Sequence, residues 1–184
     1  MQFLTDFADQ AVVLPLAACL LAWAWLTGWR QGARAFAVAL AATFGTIAAL
    51  KLALASCDPN AALRSPSGHT ASAALIYGGG AALLLRLRPP AGLALAAAAA
   101  AAIAATRLGL RVHTPADVLT GAAAGLLGTA LLLRQAGPRP TASRLWPLLL
   151  TSLVCAAALH GRHLHIEQAL RRIALGWLHA AGCL

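Results

Sequence analysis

The chain has 184 residues, of which 60% are hydrophobic and only 10% are charged. Soluble globular proteins carry about 25% charged residues, so this composition excludes both a water-exposed surface of the usual kind and a disordered chain. The net charge is +9, but the basic residues stand in short gaps between long apolar runs. Nucleic-acid binding would require basic tails with interleaved aromatic residues instead, so the composition indicates a membrane protein.

Six apolar runs follow one another along the chain, and we predict an all-α, polytopic membrane bundle of about six transmembrane helices. No linker divides the chain, so residues 1–184 are predicted to form a single domain. The last run is short and crosses a bilayer only if flanking residues take part. The runs comprise residues 11–29, 35–57, 65–85, 89–106, 118–133 and 145–159.

The segments on either side of these runs have distinct patterns. Asp6 and Asp9 precede the first run without any basic residue, which is the wrong flank for a cleaved signal peptide, so we expect the run to be retained. Residues 163–180 place apolar and charged side chains on opposite helix faces. They predict a C-terminal amphipathic helix that either lies in the membrane interface or packs against the bundle.

Small residues recur in the fourth and fifth runs, where seven alanines begin at Ala96 and Gly121 lies four residues before Gly125. Small residues at this spacing let helices approach closely in lipid, which predicts a compact bundle. A general bias toward alanine is the alternative explanation for the alanine run.

The arginines are distributed unevenly between the two sides of the predicted bundle. The positive-inside rule assigns the side with more arginines in short loops to the cytoplasm. The C-terminal bases Arg162, Arg171 and Arg172 fall on the other side and argue mildly against this orientation. The arginines of the predicted cytoplasmic side are Arg30, Arg34, Arg86, Arg88, Arg134, Arg139 and Arg144.

Most of the polar residues of the middle runs stand where the second and fourth runs end and where the third and fifth runs begin. Counting the membrane crossings places all of these positions on the outer face. Cations beside the free amides of helix N-termini favour phosphate binding. The Ser67 hydroxyl could donate to a phosphate oxygen and Gly68 would admit a close backbone approach, although an ordinary N-capped loop is the alternative. Lys51 alone could be a lysine that snorkels to the interface. The residues expected to converge are Lys51, Arg64, Ser67, His69, Arg107, His113 and Asp117.

His113 and Asp117 are four residues apart at a predicted helix start, so they share a face and the carboxylate can orient the imidazole. The second ring nitrogen is then available for nucleophilic attack, and His69 could supply a proton to the leaving group. A metal site is the rival interpretation, but two histidines and one carboxylate among several cations are poor ligands for a divalent ion.

The segments Pro66-Ser67-Gly68-His69 and Arg107-x5-His113-x3-Asp117 resemble the second and third motifs of the type 2 phosphatidic acid phosphatase family. Lys51 resembles the start of the first motif, although the family has Arg-Pro where this chain has Asp58-Pro59. Arg64 is the nearby base that could replace that arginine, and we predict that it points into the pocket.

The resemblance implies a helical membrane phosphatase that uses no metal or other cofactor and works through a phosphohistidine. It implies that His113 is the nucleophile, that Asp117 orients it and that His69 is the general acid. The phosphate-binding residues implied are Lys51, Ser67, Gly68 and Arg107, with Arg64 added as the replacement for the missing arginine.

The leading hypothesis is a bacterial inner-membrane lipid phosphatase whose site faces the periplasm, with no nucleic acid or soluble partner. Undecaprenyl pyrophosphate, phosphatidic acid, phosphatidylglycerol phosphate and a lipid A phosphate all remain open as substrates. A lipid phosphotransferase and a non-catalytic lipid carrier or scaffold are the alternatives. The topology also allows a Cys57–Cys183 disulfide on the outer side if the last run crosses the membrane.

Overall fold

The computed structural model describes residues 1–54, 63, 65–141, 143–164, 169, 172, 173 and 176. Regular structure in these residues is entirely helical. Arg64, Asp58, Cys57 and Cys183 lie outside the described residues, as does most of the predicted amphipathic helix at 163–180. The predictions made for them therefore remain predictions.

The helices of the described residues follow the apolar runs. The third run forms two α-helices joined without interruption by a π-helix, which we call π1. Such π-helical turns are rare and often lie near functional sites. The elements are α1 (Gln2–Asp6), α2 (Gln10–Leu26), α3 (Arg30–Ala53), α4 (Gly68–Ser72), π1 (Ala73–Gly79), α5 (Gly80–Leu84), α6 (Pro89–Gly109), α7 (Pro115–Gln135) and α8 (Trp146–Leu159).

Three of these helices, α3, α6 and α7, are long and apolar enough to cross a membrane, and α2 and α8 are shorter apolar helices. The protein is therefore a helical membrane protein, while the count of six spans remains a prediction.

Two helices begin three or more residues earlier than the apolar runs predict. Helix α3 begins at Arg30 rather than residue 35, because arginine is a good helix former whose long side chain can reach the interface. Helix α7 begins at Pro115 rather than residue 118. A capping box between Thr114 and Asp117 starts α7 before its apolar part.

Helix α7 packs against α3, α4, π1 and α6, and its glycines permit these contacts. A Cβ atom on Gly121 would overlap the carbonyl oxygen of Ser67, and one on Gly125 would lie 2.5 Å from the carbonyl oxygen of Ala71. Both positions therefore exclude larger side chains. The predicted close packing of small residues is confirmed for α7.

Helices α5 and α6 both end in a turn that usually contains glycine. Arg86 and Arg111 take up the left-handed conformation there, each with φ of 55°. Each turn has the two backbone hydrogen bonds of a Schellman motif, for example Arg111 N to Leu108 O at 2.9 Å and Val112 N to Arg107 O at 3.2 Å. The turn after α6 leads directly into His113. A non-glycine residue in this conformation carries about 1–2 kcal/mol of strain.

Candidate active site

Four helix ends meet at one end of the bundle: the C-terminal ends of α3 and α6 and the N-terminal ends of α4 and α7. Lys51 near the end of α3 donates from Nζ to Oγ of Ser65 at 2.8 Å. The backbone N–H of Ser65 donates to Oδ1 of Asp117 at 2.9 Å, and that of Ser67 donates to the Asp117 carbonyl at 2.9 Å. Lys51 is thus connected to Asp117 through a single serine.

The Asp117 carboxylate organises the start of α7. Its Oδ2 atom accepts from the backbone N–H of Thr114 at 2.9 Å, and Oγ1 of Thr114 accepts from the backbone N–H of Asp117 at 3.2 Å. The same Oδ2 lies 3.5 Å from Nδ1 of His113, and both side chains are only 3% exposed. Asp117 therefore joins His113 to the turn that contains Ser65 and Ser67.

Ser67 caps the N-terminus of α4 and is fully buried. Its Oγ accepts from the backbone N–H of Thr70 at 3.3 Å and from Oγ1 of Thr70 at 3.0 Å. A serine hydroxyl that accepts twice still has its own proton to donate. Gly68 is buried beside Gln10, and a Cβ there would lie 3.3 Å from Nε2 of that side chain.

His69 faces a carboxylate that the sequence analysis did not assign to the site. Oδ2 of Asp9 lies 3.7 Å from Nε2 of His69, and the two side chains are 8% and 10% exposed respectively. Asp9 precedes α2 and accepts from the backbone N–H of Ala11 at 2.8 Å. His163 and the backbone N–H of Leu164 also approach Asp9, each at 3.3 Å. The two histidines predicted to act on phosphate thus each have an aspartate beside them.

The Asp9 carboxylate stays ionised. Its burial acts to raise its pKa, but the contact with His69 and the hydrogen bonds from Ala11, Leu164 and His163 outweigh this effect and hold the pKa well below the usual range. His69 therefore faces a full negative charge at neutral pH.

Arg107 meets the N-terminal segment of the chain. Its Nη1 donates to Oγ1 of the buried Thr5 at 3.3 Å. Further bonds secure the segment, because the Tyr77 hydroxyl donates to the Phe7 carbonyl and Oγ of Ser72 donates to the Ala8 carbonyl at 3.3 Å. Residues 5–9 thus pack beside the site and contact side chains of α4, π1 and α6. The signal for this arrangement was the pair of acids, Asp6 and Asp9, before an apolar run without basic residues.

Of the predicted site residues, the structure brings His113, Asp117, Ser67 and Lys51 into one network. His69 follows two residues after Ser67, and Arg107 lies near the end of α6. Arg64 lies outside the described residues. No group of three or more His, Cys, Asp or Glu side chains suited to a metal ion occurs in the described part of the chain.

Comparison with protein families agrees with these motifs. The model of the PAP2 superfamily matches residues 53–141, a range that contains Pro66–His69 and Arg107–Asp117 and begins two residues after Lys51. Neither the curated proteins nor the solved structures give a significant match. The match over residues 53–141 is to the PAP2 superfamily, and it supports a member of the type 2 phosphatidic acid phosphatase family.

Proposed function

We propose that the protein is a metal-independent membrane lipid phosphatase that hydrolyses a phosphomonoester or pyrophosphate headgroup through a phosphohistidine. The match to the PAP2 superfamily supports a phosphatase at the coarse level. The observation that carries the finer proposal is the buried His113–Asp117 pair, whose carboxylate also accepts from the backbone N–H of Ser65 in the turn that leads to Ser67.

In the first step, Nε2 of His113 attacks phosphorus and the bond from phosphorus to the leaving oxygen breaks. Asp117 beside Nδ1 keeps that nitrogen protonated and stabilises the charge that develops on the ring. His69 gives its proton to the leaving oxygen. In the second step, water attacks phosphorus, the bond to Nε2 breaks, and His69 takes the proton from the water.

Phosphate oxygens carry negative charge throughout these steps, so cations and hydrogen-bond donors stabilise the transition state. Lys51, Arg64 and Arg107 supply the charge, and Ser67 and the backbone at Gly68 supply uncharged donors. The hydrogen bond from Lys51 to Ser65 supports this role, because it holds the ammonium group beside the turn that leads to Ser67.

The substrate is a lipid phosphate, and the open choices are undecaprenyl pyrophosphate, phosphatidic acid, phosphatidylglycerol phosphate and a lipid A phosphate. We propose the bacterial inner membrane with the site facing the periplasm, because the opposite end of the helices carries the seven arginines that favour the cytoplasm. A phosphotransferase of the same fold would transfer phosphate to a second lipid, and product analysis separates the two activities.

The first test is phosphate release from this lipid panel by detergent-purified protein in excess EDTA. We expect release from at least one lipid at a rate that EDTA does not change. Loss of activity in EDTA with recovery on adding a divalent ion would contradict the metal-independent mechanism. Binding of the lipids without release of phosphate would favour the non-catalytic carrier instead.

Asp9 is proposed as a positioning residue for His69. We expect Asp9→Asn to lower kcat on alkyl phosphates about tenfold with little change in KM, because asparagine still caps α2 but presents no charge to His69. The effect should be much smaller with p-nitrophenyl phosphate, whose leaving group needs little help from an acid.

The matched control is His163→Ala, which removes another partner of Asp9 and leaves the Asp9–His69 pair intact. We expect this variant to resemble the wild type. If Asp9→Asn lost kcat equally on both substrates, the role of Asp9 would be purely structural. Recovery of kcat in Asp9→Glu would support a role for the negative charge.

A further inference from the structure

The end of the bundle opposite the candidate active site contains a cavity of about 410 Å³. It lies beside the turns that follow α5 and α7. Along α7, Leu133 in its wall is sixteen residues from Asp117, or about 24 Å at 1.5 Å per residue. This cavity is therefore separate from the phosphatase site. The lining residues that concern us are Arg86, Arg139, Thr141, Ala82, Leu83 and Leu133.

Two arginines stand side by side in the wall of this cavity. Nη2 of Arg86 donates to the carbonyl oxygen of Arg139 at 3.3 Å. The Nε and Nη1 atoms of Arg139 are buried and have no hydrogen-bond partner among the described residues. Buried N–H groups of a cation are unfavourable without acceptors, and a second cation nearby adds repulsion. Burial, and then the charge of Arg86, lower the pKa of Arg139.

The acidic side chains that the structure describes do not neutralise these arginines. They are Asp6, Asp9 and Asp117, which precede α2 or begin α7 and belong to the active-site end. The other two acids of the sequence, Asp58 and Glu167, lie outside the described residues. A bound anionic ligand can therefore supply the negative charge that the described side chains do not supply to these two arginines.

The backbone at Arg86 adds a second observation. This residue closes α5 in the left-handed conformation, a position that glycine usually takes. An arginine there is strained, and such strain is often found where a side chain is needed for binding.

We propose that Arg86 and Arg139 bind the phosphate of an anionic phospholipid at the predicted cytoplasmic face. The planar guanidinium group matches phosphate oxygens with paired N–H donors. The apolar wall of Ala82, Leu83 and Leu133 accepts the start of an acyl chain, which a free phosphate ion lacks. Basic pockets between helices at a cytoplasmic face are suited to anionic headgroups. The lipid is a ligand and not the substrate, so the proposal is independent of the phosphatase activity.

The test measures binding of phosphatidylglycerol, phosphatidylcholine and inorganic phosphate to the full chain in detergent by native mass spectrometry. We expect the wild type to bind phosphatidylglycerol more tightly than phosphatidylcholine. Arg139→Gln and Arg86→Gln should each weaken phosphatidylglycerol binding about tenfold or more, because each removes charge-assisted hydrogen bonds. The control is Arg134→Gln, an exposed arginine at the same end of α7, with an expected change below about threefold.

Each alternative result overturns a defined part of the proposal. Unchanged phosphatidylglycerol binding in both cavity variants would refute the proposed site. An equal loss of binding in Arg134→Gln would show diffuse attraction by surface charge. Equal binding of inorganic phosphate and phosphatidylglycerol would overturn the lipid as the ligand. Helical content and elution volume of each variant verify folding, and the two cavity variants test the site separately.

Discussion

Replacing His113 by alanine is expected to lower phosphate release by at least about 10³-fold, because the proposed covalent intermediate forms on its Nε2 atom. The fold should persist, since the capping box of α7 uses Thr114 and Asp117 and not the imidazole. The measurement is single-turnover phosphate release, combined with quenching to trap a phosphohistidine. We expect an acid-labile, base-stable phosphoryl label on the wild type and none on the variant.

His160→Ala is the matched control for this experiment. His160 lies at the same end of the bundle, where its Nε2 contacts the carbonyl of Phe3 and its ring packs on Phe3 and Phe7. We expect near wild-type activity and normal labelling. A His113→Ala variant that kept activity within about tenfold of the wild type would refute the assignment of the nucleophile.

Replacing His69 by alanine is expected to lower kcat on alkyl lipid phosphates by about 10²–10⁴-fold, the usual contribution of a general acid. An alkoxide is a poor leaving group, whereas p-nitrophenolate leaves without protonation. The first step should therefore be much less impaired with p-nitrophenyl phosphate. Burst kinetics separate this step from hydrolysis of the intermediate, in which His69 also takes part.

The double variant Asp9→Asn/His69→Ala tests whether the two residues act together. If Asp9 works through His69, removing its charge should have almost no further effect once the imidazole is gone. Independent, multiplying losses would mean that Asp9 stabilises the N-terminal segment and does not assist catalysis. An equal loss of His69→Ala on both classes of substrate would contradict its role as the acid.

Much of the fold could be predicted from the order of residues, because the length of each apolar run and the polar residues at its ends are local properties of the sequence. The runs that became α2, α3, α6, α7 and α8 were recognised within a few residues. The apolar runs do not predict the starts of α3 and α7. Capping and helix propensity decide where a helix begins, and not the point at which charged residues stop. The π-helix after Ser72 was not predicted, since its wider turn has no clear signal in the sequence.

The candidate site was predicted in part for a similar reason. Motif spacing and the parity of crossing put His69 and His113 at one end of the bundle, where the structure has them. Their detailed partners depend on contacts between distant parts of the chain. Ser65 is 52 residues from Asp117, and Asp9 is 60 residues from His69.

The sequence by itself determined that this is a helical membrane protein with motifs of the PAP2 superfamily, because hydropathy and motif residues can be recognised without a fold. Only the tertiary structure decided that Asp9 faces His69, that Lys51 reaches Asp117 through Ser65, and that Arg86 lies against Arg139. The physical reason is that a short polar contact depends on where helices pack to within a few tenths of an ångström. That packing is set by many close contacts at once, such as those of Gly121 and Gly125, and not by any local pattern.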